Sequence, residues 1–308
     1  MTNDKPPIWR NSRFWQITAQ LIAVFSSAIL VTIFWSNLNR NLQQLGIQFG
    51  FDFLKQQASF DIGEKLISYT ATDTYTRALW VGLINSLRVA LAGIFFTTIV
   101  GITAGIARLS DNWLVRTISL VYVEIFRNTP LLIQLLFWYF AVFLSFPNVD
   151  NKVSFWGFIS ISQSGIDLPW FNLSSEFSAL LLGLIFYTGG FIAEIVRGGI
   201  QSVPKGQWEA ARSLGLKPGL VMRLVIFPQA LRVIIPPLTS QYLNLTKNSS
   251  LAIAIGYPDL YFVSSTTFNQ TGKAVEVVLL LALTYLTLSL TISIIMNLLN
   301  RTVKIQER

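Results

Sequence analysis

Apolar residues fall in six long runs, at about 14–36, 82–107, 117–145, 176–200, 220–245 and 275–298. A helix needs around 20 mostly apolar residues to cross a bilayer, so the pattern predicts six spanning helices. One stretch, FSALLLGLIFYTGGFIA at 177–193, carries no charge at all. Two runs contain proline: Pro130 in the third, and Pro228, Pro236 and Pro237 in the fifth. Proline removes a backbone donor and clashes with the preceding turn. Both spans are therefore expected to bend or break, with the freed backbone groups facing protein rather than lipid. The first run follows a basic start, which is also the layout of a signal peptide. It exceeds a signal core of roughly 7 to 15 residues and no A-x-A cleavage site follows it, so a retained span is expected.

Composition agrees with the pattern. Of 308 residues, 52% are hydrophobic and only 12% charged, about half the charged share of soluble domains. The expected fold class is an all-α, polytopic membrane protein. A net charge of +8 would point to nucleic acid in a soluble chain. Here it marks span ends, so no nucleic-acid partner is expected and lipid is the medium. With the N-terminus inside, segments 1–13, 108–116, 197–223 and 299–308 hold 13 Lys and Arg in 59 residues. The opposite segments, 38–79, 146–175 and 246–273, hold 7 in 100. That bias predicts both termini in the cytoplasm. The outer segments 38–79 and 146–175 read as ordered caps, their aromatics as belt residues at the membrane surface. The chain has no Cys and no His, which removes disulfides, thiolate nucleophiles, imidazole acid–base chemistry and the usual zinc sites. Neither a metal site nor a catalytic residue is expected. No G-x-x-x-x-G-K-[ST] loop is present, so any ATP, with its magnesium, belongs to a partner.

The stretch GQWEAARSLG at 206–215 interrupts this oily chain. Pro204 before it and Gly215 after it suit the start and stop of a helix, one too short to be stable alone in water. Ala210 and Ala211 put no bulk on the surface, and Glu209 and Arg212 share a face. Two readings follow from the residues: a peg docked in a partner's socket, or a helix resting on lipid with Trp208 as anchor. The spacing of Glu209-Ala210-Ala211, Gly215, Val225 and Phe227-Pro228 resembles the EAA loop of permease subunits in binding-protein-dependent ABC importers, with Phe227 where many members have Leu. NSLRVALAGIFFTTIVGITAGIARLS (85–110), YVEIFRNTPLLIQLLFWYF (122–140), GFIAEIVRGGIQSVPKGQWEAARSLG (190–215) and FPQALRVIIPPLTSQYLNLTKNSSLAIAIGYPDL (227–260) are similar to the polar-amino-acid branch of that family.

The resemblance covers roughly 80 to 300. It implies a five-helix type I permease core at 81–300 with a coupling helix at 204–218. Residues 1–80 are then an added span and outer segment, and 301–308 a cytoplasmic tail. It also implies residence in a bacterial inner membrane and an ATPase dimer engaged through Gly206, Glu209, Ala210, Ala211, Arg212 and Gly215. Further implied partners are a second permease, in a heterodimer rather than a homodimer, and a periplasmic or lipid-anchored amino-acid-binding protein. The extra span resembles larger permeases for acidic and neutral amino acids. An ATP-independent secondary transporter is the alternative function; it calls for unpaired acidic groups and inverted repeats, neither of which the sequence displays.

Three further constellations are candidates for a pathway or gate. Glu124 with Arg127, and Glu194 with Arg197, repeat an E-x-x-R spacing that puts each pair on one helix face. They are expected to be paired within the protein, either lining the pathway or clamping helices. In RNTP at 127–130, Pro130 disfavours helix at Thr129, and Asn128 and Thr129 are expected to satisfy the freed backbone groups. Such a break reads either as a transporter site or as a plain kink. Lys247, Asn248, Ser249 and Ser250 form a polar cluster at the outer mouth, a gate or a capping turn. The pairs Gly189-Gly190 and Gly198-Gly199 are expected to pack permease halves together.

Overall fold

The computed structural model describes residues 12–44, 46, 49–155 and 159–303. Residues 1–11 and 304–308, in the expected cytoplasmic start and tail, lie outside the described residues. The chain divides after Phe51 into two compact units, so residues 52–80 belong with the second unit and not with the first helix. The first unit is helix α1, Ser12–Gln44. Its hydroxyls at Thr18, Ser27 and Thr32 each donate to the carbonyl four residues earlier at 2.8 Å, which satisfies them within an apolar surrounding.

The second unit holds the remaining spans. Helix α2, Tyr75–Ala107, is capped by Thr74, whose hydroxyl accepts from the Arg77 amide. Helix α3, Trp113–Asn128, starts from Asn112, whose side-chain Oδ1 accepts from the amides of Leu114 and Val115. Helix α4, Leu131–Leu136, continues through a π turn at Phe137–Val142 and a 3-10 turn at Phe143–Ser145. Helix α5 is Ser175–Gln201, α6 is Lys205–Ser213, α7 is Pro218–Val221 and α8 is Phe227–Asn248. A 3-10 stretch, Ser249–Ile255, leads to α9, Leu260–Thr271, and α10, Ala274–Val303. Among the described residues, five helices are long and apolar enough to span, and six crossings result when α3 and Leu131–Ser145 count as one.

The two proline-bearing spans behave differently. The third breaks as expected, with a 106° bend between Asn128 and Leu131. The fifth does not break: Pro218–Ile255 runs as one span. A π turn at Met222–Ile226 precedes Pro228, and its wider ring absorbs the missing donor. Pro236 and Pro237 sit inside α8 without ending it.

Segment 146–175 holds the sheet among the described residues. Strands β1 (Val153–Phe155), β2 (Ile159–Ser162), β3 (Gly165–Leu168) and β4 (Phe171–Ser174) form an antiparallel meander in that order. Trp170, in the two-residue turn between β3 and β4, is 89% exposed. Residues 52–74 wrap over the N-terminal part of α2, where Phe53, Ala58, Ile62 and Tyr69 join Ala78, Val81, Val263 and Val277 in a buried cluster.

The closest packing is between α2 and α5. A Cβ added at Gly105 would lie 2.6 Å from the Ala193 carbonyl oxygen, and one at Gly101 2.4 Å from Ile192. Of the paired glycines, Gly189 faces Tyr122 and Val100, Gly190 faces Arg127, and Gly199 faces Ile234. These three pack the chain against itself, not permease halves against each other. Only Gly198 meets open space. Gly105→Ala is accordingly expected to destabilise by about 1–3 kcal/mol, since a backbone carbonyl cannot step aside. Gly198→Ala should fall within about 0.5 kcal/mol of the parent. Unfolding of both variants in detergent measures the contrast.

Candidate functional site

Helix α6 follows α5 after only three residues, and Pro204 is its N-cap. It closes after Ser213, so the expected helix at 204–218 is shorter than foreseen: residues 214–217 form a turn, and α7 begins at Pro218. The Gly215 amide donates to the Arg212 carbonyl at 2.9 Å and the Leu216 amide to the Ala211 carbonyl at 3.4 Å. That is a Schellman closure, and it requires the left-handed φ of +76° seen at Gly215. The residue's identity is thus dictated by the helix end.

The faces of α6 are sharply unequal. Ala211 is only 3% exposed and packs with Trp208, Val203 and Val221 against α8. Gly206, Glu209, Ala210 and Arg212 are exposed, and Leu214 is 80% exposed. Ala211 therefore seats the helix on its own chain and does not present a partner surface. Trp208 does the same, so lipid anchoring through its ring is not what the geometry supports. The Gln229 side-chain amide donates to the Gln207 side chain at 3.2 Å and to the Val225 carbonyl at 2.9 Å, tying α6 to α8. A Cβ at Gly206 would meet nothing within the chain.

The E-x-x-R pairs divide. Glu194 is paired with Arg197 and also with Arg108 at the end of α2, and Arg197 reaches Gln201. Arg108, 86 residues distant in sequence, is the partner that spacing alone misses. Glu124 and Arg127 do not pair. Glu124 is exposed and accepts from the Asn128 side chain at 3.0 Å, because four residues along a helix suit that contact as well as three. Arg127 instead lies over the Phe191 ring at 5.0 Å. At the RNTP break the Thr129 hydroxyl donates to the Ile125 carbonyl at 2.9 Å. Asn128 spends its amide on Glu124, not on the backbone. Gln134 takes that task, donating to the carbonyls of Phe126 (2.8 Å) and Thr129 (2.9 Å).

At the other end of the bundle, Lys247 is exposed and Asn248 half-buried. The Ser249 and Ser250 hydroxyls donate to the carbonyls of Thr246 and Lys247, each at 2.8 Å. Both serines are thereby committed to a helix-end turn. Nearby, Glu64 joins Arg88 of α2 to Ser174, the N-cap of α5. The Asn85 amide donates to the carbonyls of Glu64 and Pro258. Asp259 is fully buried and caps α9 by accepting from the Phe262 amide at 2.8 Å. Burial pushes its carboxyl up to about 7. None of these residues carries a sequence signal beyond the Asp at a helix start.

A bundle of spans that carries half-buried ion pairs and a short, partly exposed polar helix has the layout of a membrane transport subunit. The chain belongs to the family described as binding-protein-dependent transport system inner membrane component, which it matches over residues 97–305. It is a permease subunit of an ATP-driven importer, with multi-pass inner-membrane architecture, and not an enzyme. The general L-amino acid transport system permease protein AapQ of Rhizobium johnstonii is 40% identical, over 92% of each chain. The glutamate/glutamine/aspartate/asparagine transport system permease protein BztB of Rhodobacter capsulatus is 37% identical, over 97% of this chain and 96% of that one. A chain in the crystal structure of an amino acid ABC transporter with histidines is 28% identical, with a TM-score of 0.60 over 74% of this chain and 95% of that one.

The buried carboxyl makes a pH dependence. Below about pH 4, Asp259 is protonated folded or unfolded; between there and about 7 only the folded state keeps the proton. Stability therefore falls as pH rises through that window and levels off above it. Asp259→Asn keeps a capping oxygen and should flatten the slope, read from unfolding of the detergent-solubilised protein at several pH values.

Proposed function

We propose that this permease subunit carries polar amino acids, acidic and neutral ones in preference to basic ones, and that α6 is its coupling helix. The observation that carries the reading is the division of α6 into a face seated on its own core and an exposed ridge of Gly206, Glu209, Ala210 and Arg212. Such a ridge lets another backbone approach closely, while Glu209 and Arg212 offer charge at its edges. Likeness to amino-acid permeases along nearly the whole chain supports the cargo class. In this reading an ATPase dimer holds ATP and magnesium, a second and different permease completes the pathway, and a binding protein delivers cargo from outside. Both termini then lie in the cytoplasm, as the Lys and Arg bias supports.

Closure of the ATPases draws two coupling helices together and exchanges an inward-facing for an outward-facing pathway. Cargo moves because its affinity differs between those states. The Glu194–Arg108–Arg197 group acts as a helix clamp in this scheme, its charges already spent on one another. Family membership displaces the secondary-transporter alternative.

Ala210→Trp or Glu209→Arg is expected to abolish ATP-driven uptake into liposomes containing binding protein, at least tenfold, with unchanged unfolding of the spans. Full transport by Ala210→Trp would remove α6 from the coupling role.

A further inference from the structure

Four arginines within or at the ends of the second unit's spans are answered by the chain, while Arg116, Arg223 and Arg301 are exposed. Arg88 meets Glu64, Arg108 and Arg197 meet Glu194, and Arg127 lies over Phe191. Arg232, in the second turn of α8 and half-buried, forms no ion pair among the described residues; its buried Nε, like that of Arg127, has no hydrogen-bond partner, and unlike Arg127 it has no ring contact. A half-buried guanidinium within a span is costly unless paired or open to water. Arg232 lines an open cleft of about 420 Å³ with Gln229 of α8, Gln207 of α6, Ser202 and Pro204. That volume lies in the range of roughly 300–1,000 Å³ found for small-molecule sites.

We propose that this cleft is a carboxylate-binding subsite at the root of α6. A guanidinium takes a carboxylate in two parallel hydrogen bonds, and the amides of Gln207 and Gln229 supply neutral polar walls without a competing negative charge. The carboxylate comes from one of two sources: the α-carboxylate of an amino acid on the cytoplasmic side, or an acidic side chain of the second permease. The subsite rests on the reading of α6 as the cytoplasmic coupling helix of an amino-acid importer. Because Gln207 stands on α6 and Arg232 on α8, the occupant bridges the helix that receives the ATPase and the span that lines its cleft. Occupancy therefore reports on, and resists, their relative motion.

The test uses the whole importer, purified through a tag on this chain and held nucleotide-free in nanodiscs without binding protein. L-glutamine and L-glutamine amide, which lacks the α-carboxylate, are titrated by calorimetry. In a second arm, the Arg232→Lys complex is treated with a carbodiimide and its cross-links are mapped by mass spectrometry. Binding of L-glutamine but not its amide, weakened at least tenfold in Arg232→Gln and less in Arg232→Lys, assigns the site to cargo. A cross-link from position 232 to an acidic residue of the second permease assigns it to the partner, and this arm holds even if Arg232→Gln fails to assemble. Neither result, in a complex that still performs ATP-driven glutamine uptake with binding protein, overturns the subsite and leaves the importer reading intact. Loss of uptake by the parent complex would instead count against that reading.

Discussion

The second unit depends on how closely α2 and α5 approach. Lipid supplies no hydrophobic drive between helices, so association rests on packing and polar contacts. Gly101 and Gly105 bring the two backbones together, and a carboxylate locks each end. At one end, Glu64 bridges Arg88 of α2 and the Ser174 cap of α5. At the other, Glu194 of α5 holds Arg108 at the end of α2. In each case one chain-distant acid joins the two helices, and the ionised groups satisfy the demand that buried charge be paired.

Around that pair the chain handles proline in two ways. At Pro130 the span breaks, and the side chain of Gln134 bonds two carbonyls that the helix has released. At Pro228 a π turn lets the helix continue. The first solution makes an elbow between two short helices; the second keeps α8 continuous from the root of α6 to the opposite end of the bundle. A rigid span beside a jointed one is a workable arrangement for a protein that must change shape without exposing backbone to lipid.

Much of this was legible in the sequence, for physical reasons that differ by element. Runs of twenty apolar residues announce spans, since nothing else in the chain is so uniform. The short helix at 205–213 was legible through Pro204 and Gly215, whose backbone preferences mark its ends. Its orientation was half hidden: Ala210 and Ala211 read alike, yet a 100° step per residue sends one outward and one inward. Trp208 and Ala211, three apart, were the available signal for the inner face. The Glu194–Arg108 contact had no such signal, because its partners meet only through tertiary packing. Glu124 and Arg127 show the converse, a permitted spacing that Asn128 and Phe191 outcompete. The strands at 153–174 are three or four residues long, too short for alternation to stand out.

The seating of α6 bears on how force is passed on. A nine-residue helix on a loose tether would yield like a spring, and much of a partner's stroke would be lost as local deformation. Here the closure at Gly215 fixes one end, Ala211 and Trp208 bed the helix in the core, and Gln207 is bonded to Gln229. The compliance that remains lies outside this joint, so displacement of α6 becomes displacement of α8 with little slack.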